Sequence, residues 1–100
     1  MIKLIRSGRP LPGKSREAMQ WAREMTDWLN ARQPGSNVQV FTEVFGAPGT
    51  IHVLSDVEDL ATMERQMAER QPDSEWQALS ARGAALIVPG SRRDTLLRSG

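Results

Sequence analysis

One hundred residues make a single domain, and a chain of this size buries only about two-thirds of its unfolded surface. Apolar residues at 39% and charged residues at 25% exclude a disordered chain, and a net charge of +1 leaves no electrostatic footprint for nucleic acid or an acidic membrane. The absence of cysteine excludes disulfides, thiolate metal sites and cysteine nucleophiles, and fits a reducing compartment.

The opening Met1-Ile2-Lys3-Leu4-Ile5-Arg6 lacks a long apolar region and a small-residue cleavage site, so no signal peptide is expected. No apolar run approaches the ~20 residues that span a bilayer, and the expected location is the cytoplasm. Ile2 to Arg6 reads as a short strand, with Ile2 and Leu4 on one face and Ile5 on the other. Gly8, Pro10, Pro12 and Gly13 then break the chain.

Ser15 is the expected N-cap of a helix, and Glu17 sits in its first turn, where the helix dipole favours a negative charge. Ala18, Trp21, Ala22, Met25, Trp28 and Leu29 recur at three- and four-residue spacing, which makes one apolar stripe. Pro34 and Gly35 end the helix. A hairpin follows, with strands expected over 38–45 and 50–55 and a Gly46-Ala47-Pro48-Gly49 turn. Its strands are apolar on both faces, because Val38, Val40 and Val44 alternate with Phe41 and Phe45, and Ile51 and Val53 with His52 and Leu54. Helices can cover only one such face, so a second copy of the chain is the expected cover for the other.

Ser55 or Asp56 is the expected cap of a second helix, whose inner side carries Val57, Leu60, Met63 and Met67. Gln71-Pro72-Asp73-Ser74 interrupts it, and a short helix from Glu75 to about Arg82 turns Trp76 and Leu79 inward. Leu86 to Val88 is a short extended piece, Pro89-Gly90 turns the chain, and Arg92 to Arg98 is the last strand. The order strand, helix, strand, strand, helix, strand predicts an α+β, ferredoxin-like βαββαβ domain over residues 1–100, with an antiparallel sheet and its helices on one face.

Several functions of this fold fail on residues. RNA recognition needs stacking aromatics on the central strands, and Ile2 to Arg6 and Thr50 to Leu54 have none. A phosphate loop at Ser7 to Gly13 would lose backbone donors to two prolines.

The doubly apolar hairpin from Val38 to Gly46, the Asp73-Ser74-Glu75-Trp76-Gln77-Ala78-Leu79 segment and Pro89-Gly90 before a final strand resemble the dimeric α+β barrel superfamily. That group includes the antibiotic-biosynthesis monooxygenase-like and NIPSNAP-like domains. The resemblance implies a homodimer with two sheets facing across a two-fold axis. It also implies a protein binding a small hydrophobic molecule or, alternatively, a cofactor-independent monooxygenase or isomerase. Haem-degrading relatives use a histidine near the second helix, and none lies there, so no cofactor and no metal are expected.

If Phe45 pairs with Thr50, Glu43 faces His52, the only histidine. A carboxylate beside an imidazole fixes its tautomer, and in an apolar cavity such a pair can move a proton. The same pair can also serve only to satisfy two polar groups at a dimer interface. Phe41 and Phe45 would flank it as ligand contacts. Trp21 and Trp28, seven residues apart on one stripe, either line a pocket for a flat ligand or fill the core. Arg92, Arg93 and Arg98 either bind an anion or form edge ion pairs.

Overall fold

The computed structural model describes residues 1–100. Seven elements run in order: β1 (Ile2–Gly8), α1 (Ser15–Arg32), β2 (Gln39–Thr42), β3 (Ile51–Val57), α2 (Leu60–Arg70), α3 (Ser74–Ala84) and β4 (Arg93–Arg98). The strands form one antiparallel sheet in the order β2-β3-β1-β4. This is the ferredoxin-like arrangement, with α3 added before the last strand.

Strand alternation decides which side faces the helices. Ile2, Leu4 and Gly8 of β1 and Ile51, Val53 and Val57 of β3 are buried on that side. Ala18, Trp21, Ala22 and Leu29 form the buried stripe of α1 and pack on Val38, Ile51, Val53 and Ile87. Each large apolar side chain buried this way contributes about 1.5–3 kcal/mol. No residue of α2 is fully buried, so that helix lies at the margin of the core.

The caps differ from expectation for local reasons. Lys14, which makes no side-chain capping hydrogen bond, stands at the start of α1, and Ser15 is already helical. β3 runs on to Val57 because its residues pair with β1 along their whole length, down to Ile2 opposite Val57. The cap of α2 therefore moves from Ser55 or Asp56 to Asp59, whose carboxylate accepts the Thr62 N–H at 2.7 Å. Asp73 caps α3 through the amides of Glu75 and Trp76. The Leu86–Val88 segment is held against the Arg9–Leu11 stretch by Leu11 N–H to Leu86 C=O and Val88 N–H to Arg9 C=O.

The hairpin departs most. β2 ends at Thr42, and Val44 and Phe45 stand 80% and 91% exposed in the loop instead of pairing. The Glu43 side chain accepts the Ala47 N–H at 2.7 Å, and the Glu43 carbonyl accepts the Gly49 N–H at 3.0 Å. These local bonds, with Gly46 at φ +97°, close the loop early and compete with the ladder. No helix is long and apolar enough to cross a membrane.

Candidate functional site

The hairpin register sets the first part of the site. Phe41, not Glu43, stands opposite His52, two residues away from the expected pairing. A two-residue shift keeps every side chain on its face, whereas a one-residue slip would have reversed them. Glu43 thus lies diagonal to His52 on the open face of the sheet, within reach of a long side chain. Its Oε1 accepts a hydrogen bond from His52 Nε2–H at 2.6 Å.

The third member comes from β1. Ser7 pairs with His52 across the sheet, and its hydroxyl lies 2.6 Å from His52 Nδ1. With the carboxylate on Nε2, the neutral ring keeps its proton there, and Nδ1 accepts from the Ser7 hydroxyl. The result is a continuous Ser7–His52–Glu43 chain. The Ala47 amide, then the His52 hydrogen bond, hold the Glu43 carboxyl below its ordinary range. An ionised acceptor is thereby secured at one end of the relay. β1 is paired on both sides, so its backbone donors serve the sheet and form no oxyanion hole. The geometry suits proton transfer.

The second part lies on the opposite face, between sheet and helices. A cavity of about 340 Å³ opens there, with apolar walls from Trp21, Met25, Ile51, Val53, Trp76 and Ile87. Arg6, Ser80, Arg92, Arg93 and Asp94 supply its polar border. Trp21 is fixed in the wall: its indole N–H donates to the Leu79 carbonyl at 2.7 Å. Gly83 makes room for that ring, because a Cβ at this position would overlap it. Trp76 is placed by the Asp73 cap and stacks on Trp28 with centroids 5.3 Å apart. The two parts meet at β1, since Ser7 also borders the cavity.

Of the residues singled out in the sequence, Glu43 and His52 are brought together, and Trp21 lines the cavity. Phe41 sits beside His52 on the open face, half exposed. Phe45 is at the exposed tip of the hairpin and touches neither part of the site. Trp28 lies outside the cavity and ties α1 to α3: its N–H donates to Glu75 at 2.9 Å, and Arg32 stacks on its ring. Arg92 and Arg93 stand at the cavity mouth, while Arg98 does not.

Sequence reading passed over Ser7 and Arg6. For Arg6 a signal existed, a charged residue on the inward face of a strand whose other inward positions are Ile2, Leu4 and Gly8. For Ser7 there was none, because its importance depends on which residue of β3 pairs with it. No group of three His, Asp or Glu side chains is placed to hold a metal ion.

No protein-family model and no curated protein matches the chain. Solved structures do. A NIPSNAP domain protein of Burkholderia xenovorans superposes with a TM-score of 0.84 at 16% identity, covering 100% of this chain and 95% of that one. A NIPSNAP family protein of Agrobacterium tumefaciens gives 0.84 at 22% identity, covering 99% and 85%. A Deinococcus radiodurans protein, provisionally named an antibiotic biosynthesis monooxygenase, gives 0.75 at 12% identity over 100% and 93%. Identities this low speak for architecture alone: the chain has the ferredoxin-like α+β fold shared by NIPSNAP-domain and antibiotic-biosynthesis-monooxygenase-like structures.

Proposed function

We propose that this chain is a small-molecule-binding α+β domain that works as a homodimer and takes a small hydrophobic compound into the cavity beneath its sheet. One observation carries the reading: a space of about 340 Å³ walled by two tryptophans, a methionine and three aliphatic side chains. That volume lies at the lower end of the range for small-ligand sites, and such sites are apolar with a few polar groups at the border. Trp21 and Trp76 give it flat walls suited to an aromatic guest.

Dimerisation is supported by the open face. Phe41 and Leu97 are each half exposed there, and Ile5 pairs with Leu54 between them. A second copy covering this face would bury these groups and enclose the Ser7–His52–Glu43 chain. That chain favours a second reading, a cofactor-independent monooxygenase or isomerase acting on a hydrophobic or aromatic compound. Both chemistries need a proton moved to or from carbon or oxygen, and a hydrogen-bonded Ser–His–Glu relay in an enclosed space can do so.

Two measurements test the proposal. In a ¹H–¹⁵N spectrum, titration with 2-naphthamide should shift the indole N–H signals of Trp21 and Trp76. Ser80→Trp, at the exposed mouth, should abolish the shifts. Sedimentation should give a dimer at micromolar concentration, and Phe41→Lys should return it to monomer by placing a charge in the buried interface. A stable wild-type monomer would remove the dimer from the proposal.

A further inference from the structure

The cavity carries cationic groups that its apolar walls do not explain. Arg6 projects from β1 toward the helices, yet its side chain makes no hydrogen bond within the chain, and its Nε is shielded from solvent with no hydrogen-bond partner. Its nearest carboxylate, Asp94, stands 3.7 Å away and is largely in solvent. A second, smaller space of about 40 Å³ shares Arg6, Met25, Val53 and Trp76 with the cavity and is also bordered by Arg70. Arg70 Nε is likewise buried and unpartnered; Nη1 donates to Gln33 at 3.2 Å, and the guanidinium stacks on Trp76. Burial, and after it the charge of Arg6, push Arg70 below the ordinary guanidinium range. The acid that borders the smaller space, Asp56, is engaged with Lys3 at 3.0 Å. Arg6 thus borders both spaces and Arg70 the smaller one, and the only carboxylate ion-paired with either, Asp94, is loosely held.

Unpartnered buried donors are costly, and those of a cation more so. Nothing in the fold requires them: an apolar side chain at position 6 would continue the inward row of Ile2 and Leu4. From this juxtaposition we propose that the cavity recognises an amphipathic carboxylate, with its acid group on Arg6 and Arg70 and its apolar body between Trp21 and Trp76. A guanidinium offers a planar fork that matches a carboxylate in two parallel hydrogen bonds. Arg6, Arg70, Arg92 and Arg93 outnumber Asp94 around these two spaces, so an anionic group is favoured there. Arg92 and Arg93, exposed at the mouth, add an attractive field along the entry path. This inference rests on the cavity being a ligand site and adds the class of ligand.

Calorimetric titration of the full chain with 2-naphthoate, its neutral amide 2-naphthamide, and 2-naphthyl phosphate tests it. The carboxylate should bind about tenfold or more tightly than the amide, as expected for hydrogen bonds to charged groups. Arg6→Gln and Arg70→Gln should each shrink that preference, lowering the affinity for the acid by a larger factor than that for the amide. If either variant fails to fold, the comparison of acid with amide on the unaltered chain still decides. Equal binding of acid and amide overturns the carboxylate site and leaves the hydrophobic cavity standing. Tighter binding of the phosphate overturns the assignment to a carboxylate. Binding of neither naphthalene, or binding undiminished by Ser80→Trp, overturns both the cavity reading and the inference built on it.

Discussion

Replacing Gly83 by alanine sets two effects of opposite sign against each other. Gly83 is helical, near the end of α3, and φ there is not positive. Alanine should therefore favour the helix by up to about 1 kcal/mol. Against this, a Cβ at position 83 would fall 2.7 Å from Trp21 Cε2 and 2.8 Å from Cη2, and nearer still to Cζ2. The indole cannot move aside cheaply. It is 7% exposed, and its N–H is bonded to Leu79 of the same helix at 2.7 Å. Separating ring and helix would open the α1–α3 contact, and overpacking of this kind costs about 1–3 kcal/mol, occasionally more. The clash wins, with a net loss of up to about 2 kcal/mol once the full propensity gain is subtracted. In a domain of this length each kilocalorie lowers Tm by about 4–8 °C. Thermal unfolding followed by circular dichroism reads this directly. A Trp21→Phe background should relieve much of the loss, because the smaller ring leaves space for the methyl group; the double-mutant cycle gives the coupling. A Gly83→Ala protein that melts at or above the parent temperature would refute the packing argument.

Two further perturbations follow from the same geometry. The Asn30 side chain donates to the Val38 carbonyl at 3.0 Å and accepts the Val38 N–H at 2.9 Å, so Asn30→Ala strands two backbone groups of a buried residue. A loss of about 2–4 kcal/mol is expected in urea unfolding, from two groups at about 1–2 kcal/mol each. Glu43 is held below its ordinary value of 4.5, first by Ala47 and then by His52. A carboxyl depressed on folding contributes stability above its unfolded value and loses it as pH falls through the folded one. Order of the 43–49 loop, followed by amide signals of Ala47 and Gly49, should therefore decline as pH is lowered below 4.5, and Glu43→Gln should flatten that dependence.

The Glu43–His52 contact could be foreseen on a wrong register because sheets have a period of two. Any even shift keeps the same residues on the same face, so face was legible where pairing was not. The pairing depended on where the loop closed. That was settled by the Glu43 carboxylate capturing the Ala47 amide, a choice of side chain over ladder that alternation does not encode. Helix positions read well for a similar reason: the stripe of Ala18, Trp21, Ala22 and Leu29 repeats the 3.6-residue period regardless of partner. The stripe could not separate Trp21, which lines the cavity, from Trp28, which stacks on Trp76 and Arg32. About two helical turns of separation decide which ring meets α3 from inside and which from outside.

By itself, the sequence determined the order of elements and which residues of each strand share a face. These follow from local periodicity and from turn residues such as Pro34-Gly35 and Pro89-Gly90, which act over a few positions. Only the tertiary structure decided that Ser7 completes the Glu43–His52 chain, and that Arg6 and Arg70 come together. The first joins residues 45 positions apart, and the second places residues at positions 6 and 70 beside one space. They depend on strand order, hairpin register and the seating of α2 and α3, which no local pattern carries.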